Sequence, residues 1–407
     1  MSTLPKDALA GFRCVDFSWV FAGPYCGQLL GDLGMEMIKI ESHKRIDLVR
    51  NYPPFTFEDR RLNSSGYWNT HNRSKYSINL DMKTEKAREI VSRLIAISDV
   101  VLENFSARGM RAIGFDYERL RQINPRIVYC SMAGFGHRGP YKNFLAYGPM
   151  QESQAGIVHL TGWPDGEPSR VGTSYPDAAG GVSAAFSIVA ALRHAKRTGQ
   201  GQWIDLGQTL TAVALTDTAV IEYNVNGEIQ QRMGDESRFF APHNIYPCSG
   251  DDRWCVISVE NDQEFAALAT SMGQPDLAQD ARFATNAARL QHRHELDQLI
   301  GKWTEQYDHY ELMRRLQAAG VTAGAVLSTG EIVEDEHIKA RGFMESFDHP
   351  VVGEKLYPGV PFKMSETPGY IHRPAPCLGA DTEHVLKNIL GMSEQEIKEL
   401  DDAGVLV

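Results

Sequence analysis

A chain of 407 residues exceeds the size at which one hydrophobic core keeps growing, so two domains are expected. Hydrophobic residues make up 43% and charged residues 23%, a globular balance that excludes disordered and collagen-like classes. The 41 Lys and Arg against 52 Asp and Glu leave a net charge of −11, so nucleic acid is not an expected partner and an anionic ligand must be met by local cations and helix N-termini.

In chain order, Arg13–Val20 reads as a buried strand, Pro24–Leu33 as a helix opened by proline, and Met35–Glu41 as a second strand. A strand at Ser77–Leu80 precedes a helix over Lys83–Ile97, then the strand Asp99–Glu103, a helix near Tyr117–Ile123 and the strand Arg126–Met132. Strands alternating with helices predict a parallel, Rossmann-like sheet. From Asp177 to about Ala195 the run DAAGGVSAAFSIVAALRHA reads as a buried helix of small residues, ended by TGQGQW; Trp203–Leu206 reads as a short strand and Thr209–Tyr223 as one long apolar helix. Beyond Gly234 the texture changes to a hairpin, HNIYPCSGDDRWCVISV, and amphipathic helices at Asp262–Met272, Leu290–Trp303 and His309–Ala319. The tail from Val351 to Leu378 reads as irregular, and Gly379–Leu390 and Ser393–Ala403 as closing helices. The expected class is α/β. A large Rossmann-like domain spans residues 1–222, a smaller α+β domain 223–335, and a C-terminal segment, 336–407, returns to the large domain.

Six cysteines (Cys14, Cys26, Cys130, Cys248, Cys255, Cys377) show no CxxC and the histidines no HExxH, so no metal site is expected. The N-terminus MSTLPKDALAG has no apolar segment, and the stretch Val182–Leu192 is too short and too rich in small residues to span a bilayer. A cytoplasmic protein without a membrane partner is expected. The first strand, turn and helix could hold a dinucleotide, but the turn reads AGPYCG and lacks the G-x-G-x-x-G spacing that brings backbone to a pyrophosphate.

Asp177 follows Tyr175-Pro176 and opens a helix. The plain reading is an N-cap that satisfies an orphan N–H. The alternative is a reactive carboxylate, because Gly180-Gly181 would let a bulky substrate approach the helix start.

The segments FGHRGPYKNFLAYGPMQESQAG, TGWPDGEPSRVGTSYPDAAGG and TGQGQWIDL resemble the CoA-transferase III family (the CaiB/BaiF type), the group of formyl-CoA transferase and carnitine CoA-transferase. The likeness starts at VDFSWVFAGPYCGQLLGDLGMEMIKIES, continues through KYSINLDMK and ENFSARGMRAIGFDYERLRQINPRIVYCSMAGFGHRGP, and ends at APCLGADTEHVLKNILG.

This resemblance implies an enzyme moving CoA from an acyl-CoA donor to a free carboxylic acid, with no tightly bound cofactor. Asp177 stands at the family's nucleophile, which forms an anhydride and then an aspartyl-CoA thioester. The matching CoA positions are Val20, Phe21, Ala22, Leu80, Lys83, Asn104, Phe105 and Arg108, and the substrate positions are Tyr67, Tyr147 and Gly148. A glycine-rich loop near Gly234 is expected to cover the site. Formyl-CoA transferase has glutamate where Gly148 stands and glutamine where Phe21 stands, which implies a roomier, more apolar acyl site and an acceptor larger than formate or oxalate. The resemblance also implies an intertwined homodimer, with a heteromer of related chains as an alternative. A racemase of the same fold would need a histidine where Ala146-Tyr147-Gly148 stands, with His137 and His243 as displaced candidates.

Overall fold

The computed structural model describes residues 7–407; the start of the N-terminal stretch read as lacking an apolar segment lies outside them. It divides into two compact units, the larger comprising residues up to Val158 with Arg170–Ile229 and Lys339–Val407, the smaller His159–Ser169 and Gln230–Ile338.

The larger unit is built on a parallel sheet of β1 (Arg13–Asp16), β2 (Glu36–Glu41), β3 (Lys75–Asn79), β4 (Val100–Glu103), β5 (Val128–Ser131) and β6 (Trp203–Asp205) in the order β3-β2-β1-β4-β5-β6. Successive strand residues go to opposite faces. Val15, Ile38 and Val101 pack into one core with Ile90, Val91 and Leu94, whereas Cys14, Met37 and Val100 pack into another with Leu30, Ala184 and Ile188. Both faces are covered, which is why the strands read as unbroken apolar runs.

Helix α1 (Ala22–Asp32) begins two residues before its proline, with Phe21 at the N-cap. A short helix α2 (Gly66–His71), capped by Ser65, and α3 (Glu85–Ala96), capped by Thr84, flank β3. Asp116 caps α4 (Tyr117–Ile123). After α5 (Gly148–Gln154) comes α6 (Tyr175–Thr198), closed by Gly199 at φ 74°. By length and composition α6 could cross a membrane, so the apolar stretch is longer than expected from Val182–Leu192. Its small residues serve packing: a Cβ on Gly181 would lie 2.8 Å from the Tyr25 ring and 3.0 Å from the Ala22 carbonyl of α1. The single helix expected over Thr209–Tyr223 is broken into α7 (Gln208–Val213), a 3₁₀ turn at Ala214–Thr216 and α8 (Asp217–Asn226).

The C-terminal segment is stitched to the sheet. Asp381 accepts the Ser77 N–H at 2.9 Å, the Pro376 carbonyl accepts from the Trp68 indole at 3.2 Å, and the Leu406 carbonyl from Asn79 at 3.1 Å. It also holds an antiparallel pair, Met344–His349 with Gly353–Pro358, which alternation too weak to stand out from a polar tail had hidden. The smaller unit has the antiparallel hairpin β7 (His243–Pro247) and β8 (Trp254–Ser258), extended by β9 (Thr322–Ala325), over a core of Phe265, Phe283, Leu296 and Leu312.

Candidate functional site

Strand order reverses beside β1, where a crevice forms at the strand C-termini. The loop leaving β1 is fixed from below by buried charge. Asp16 accepts from the Ser18 N–H at 2.8 Å and from the Lys75 ammonium at 3.1 Å, while Lys39 donates to the Ser18 carbonyl and lies 3.7 Å from Asp47. Asp47 in turn accepts the Val20 N–H at 3.2 Å. Val20 sits at φ 67°, a left-handed conformation that is strained for a β-branched residue and is held by this web. From β4, Asn104 accepts the Trp19 N–H and donates to the Trp19 carbonyl, both at 2.7 Å.

Against this loop stands Asp177, the third residue of α6 rather than its cap; Ser174 occupies the N-cap. The Ser174 hydroxyl donates to Asp177 Oδ2 and the Ala22 N–H is directed at the same carboxylate. Burial raises the Asp177 pKa above the ordinary aspartate value, aided by the Glu152 charge and opposed by those two donors. Glu152 is fully buried on α5, its Oε2 3.1 Å from the Arg170 guanidinium.

Asp177 opens into a cleft of about 240 Å³ lined among others by Trp19, Val20, Asn104, Phe105, Tyr147 and Gln208. The cleft also carries Arg45, whose guanidinium lies 4.8 Å over the Trp19 ring, and Lys142. Beside it Phe21 meets the His71 ring at 4.3 Å and the Tyr67 ring at 6.0 Å. Burial drives the His71 pKa down to about 3, so the imidazole is neutral, and burial with the Asp177 charge pushes the Tyr67 phenol up to about 12.

Of the residues expected from sequence, Val20, Asn104, Phe105, Tyr147 and Asp177 share the cleft, and Ala22, Tyr67 and Gly148 border Asp177. The Leu80 side chain is fully buried in the core, so only its backbone is open to a ligand. Lys83 and Arg108 are exposed and lie outside the cleft lining. Gly180 and Gly181 pack against Gln208 and α1, so they serve helix contact rather than substrate approach. Gly148 does not leave spare room: a Cβ there would overlap the Ser174 hydroxyl. Gly234 packs under the Trp163 ring within the smaller unit. No histidine lines the cleft among the described residues. His137 faces a separate hollow with Tyr129 and Trp203, and His243 pairs with Ser258 at 2.9 Å. Trp19, Arg45, Lys142, Ser174 and Gln208 went unassigned; only the S-x-x-D spacing of Ser174 and Asp177 carried a local signal.

The model of CoA-transferase family III matches residues 9–382. The succinyl-CoA–D-citramalate CoA-transferase of Chloroflexus aurantiacus is 35% identical over 405 residues, covering 100% of both chains. The succinate–glutarate CoA-transferase of Agrobacterium fabrum is 35% identical over 96% of this chain and 98% of its own. A solved structure of a CaiB/BaiF family protein from Brucella suis superposes with a TM-score of 0.85 at 35% identity, covering 94% of this chain and 99% of that one. The chain therefore belongs to CoA-transferase family III and is a transferase acting between acyl-CoA thioesters and carboxylic acids.

Proposed function

We propose that Asp177 is the nucleophile of this transfer. Its carboxylate attacks the donor thioester carbonyl, a C–O bond forms, the C–S bond breaks and the electron pair leaves as CoA thiolate. The thiolate then attacks the aspartyl carbonyl of the mixed anhydride, forming an aspartyl-CoA thioester and expelling the donor acid. The acceptor carboxylate repeats both steps in reverse and restores Asp177, with no net proton consumed. The observation carrying this reading is a partly desolvated carboxylate held by two donors at the mouth of the cleft. Desolvation strengthens the nucleophile and keeps water from the anhydride.

In this reading the β1 loop at Val20, Phe21 and Ala22 faces CoA with its backbone, and Asn104 and Phe105 lie around the nucleotide, Phe105 against the adenine. Lys83, Arg108, Arg45 and Lys142 supply positive charge for its phosphates, and Leu80 contributes backbone alone. The acceptor contacts Tyr67, Tyr147 and the backbone at Gly148, beside the Phe21 ring. An acceptor larger than formate or oxalate suits that aromatic wall, and relatives named for D-citramalate and glutarate support the size. The working assembly is a cytoplasmic, intertwined homodimer, supported by the exposed apolar residues Phe186, Leu210 and Val225 on α6, α7 and α8; a heteromer with a related chain is the alternative.

The test is to incubate the purified chain with a panel of acyl-CoA donors and free acids and to follow exchange by mass spectrometry. Transfer to dicarboxylic acids above oxalate in size supports the reading; transfer confined to formate and oxalate overturns its acceptor assignment.

A further inference from the structure

Ser174 and Asp177 stand three residues apart at the start of α6, the spacing of a capping box. The same spacing at Ser328/Glu331 and Ser393/Glu396 gives complete boxes, in which the serine hydroxyl accepts the third residue's N–H and the glutamate reaches back to the cap N–H. At α6 this does not happen. The Ser174 hydroxyl makes no capping bond and instead donates to Asp177 Oδ2. Forgoing a cap costs about 1 kcal/mol of helix stability, so the hydroxyl is placed against the local preference. It is also walled in: the α5 backbone at Gly148 is so close that a Cβ there would overlap the Ser174 oxygen and come within 2.8 Å of Asp177 Oδ2.

We propose that Ser174 is a further catalytic residue, the donor that stabilises charge on the aspartyl carbonyl oxygen during transfer, and that Gly148 is glycine to make room for it. This rests on Asp177 being the nucleophile. Once Asp177 is acylated through one oxygen, the other is a carbonyl oxygen. Attack by CoA thiolate on that carbon moves the C=O electron pair onto this oxygen, and the C–O bond to the leaving acid then breaks. With Oδ2 as the carbonyl oxygen, the Ser174 O–H already points at the atom where negative charge develops. A preorganised donor in a desolvated site is worth about 10²-fold in rate. The same bond stabilises the free carboxylate, so its removal raises the Asp177 pKa.

The experiment compares Ser174→Ala, Gly148→Ala, their double variant and Asp177→Ala, with folding checked by thermal melting. For Ser174→Ala the expected result is a kcat loss of at least about tenfold with KM for acyl-CoA within about twofold, and an acid limb of activity moved to higher pH. Gly148→Ala should show a similar loss, and the double variant should fall well short of the product of the single losses. A Ser174→Ala enzyme with wild-type kcat, or one slowed with an unmoved acid limb, overturns the role of Ser174. Wild-type turnover in Asp177→Ala overturns the nucleophile itself and is distinguished by that variant alone.

Discussion

Asp177 is at once the residue most legible in the sequence and the one whose local reading needed correction. The family-like segments pointed to its position, but its plain reading was as the helix N-cap, whereas the structure puts it inside the first turn, with Ser174 at the cap and donating to it. Proximity across the fold, such as Gly148 against Ser174 or Arg45 over Trp19, has no signal in a single sequence because the partners come from distant segments. Because burial raises the Asp177 pKa and the proposed attack by Asp177 needs the ionised form, activity should fall on acidification with a midpoint above the ordinary aspartate range. A pH profile of kcat/KM with a midpoint at or below that range contradicts the desolvated setting. Asn104→Ala removes both bonds to the Trp19 backbone and should raise KM for acyl-CoA about tenfold while kcat changes less; steady-state kinetics checks the split.

At the scale of elements, the alternation of strand and helix was readable because strands buried on both faces leave long apolar runs; β1 to β6 all lie within the expected segments or within two residues of them. The broken helix after Gln208 and the hairpin at Met344–Pro358 were not, since weak patterns there are decided by tertiary contacts. Gly181→Ala should destabilise the fold by about 1–3 kcal/mol, because its Cβ meets Tyr25 and the Ala22 carbonyl where α1 and α6 pack; chemical denaturation measures it. At the end of β4, Glu103 is fully buried and its pKa is pushed up to about 7 by burial, against hydrogen bonds from the Tyr129 hydroxyl at 2.8 Å and the Phe105 N–H at 2.7 Å. Its folded pKa exceeds the unfolded value, so this group favours the fold below about pH 4.5 and loses that contribution, worth about 3 kcal/mol, as pH rises to about 7. Glu103→Gln should flatten the melting temperature across that window; an unchanged pH slope contradicts the assignment.

For the whole molecule, the sequence texture changes near Gly234, and the smaller unit, His159–Ser169 with Gln230–Ile338, is centred on its own antiparallel sheet and core. The inclusion of His159–Ser169 in it has no signature in composition, since chain excursions of this kind are set by contacts alone. The central claim concerns one carboxyl group, so it is tested by its covalent chemistry. The purified chain is mixed with an acyl-CoA, quenched with hydroxylamine or borohydride, digested and mapped by mass spectrometry. Modification at Asp177 that depends on acyl-CoA and vanishes in Asp177→Ala is the expected result, whereas exchange that proceeds with Asp177 unmodified, or modification at another residue, contradicts it.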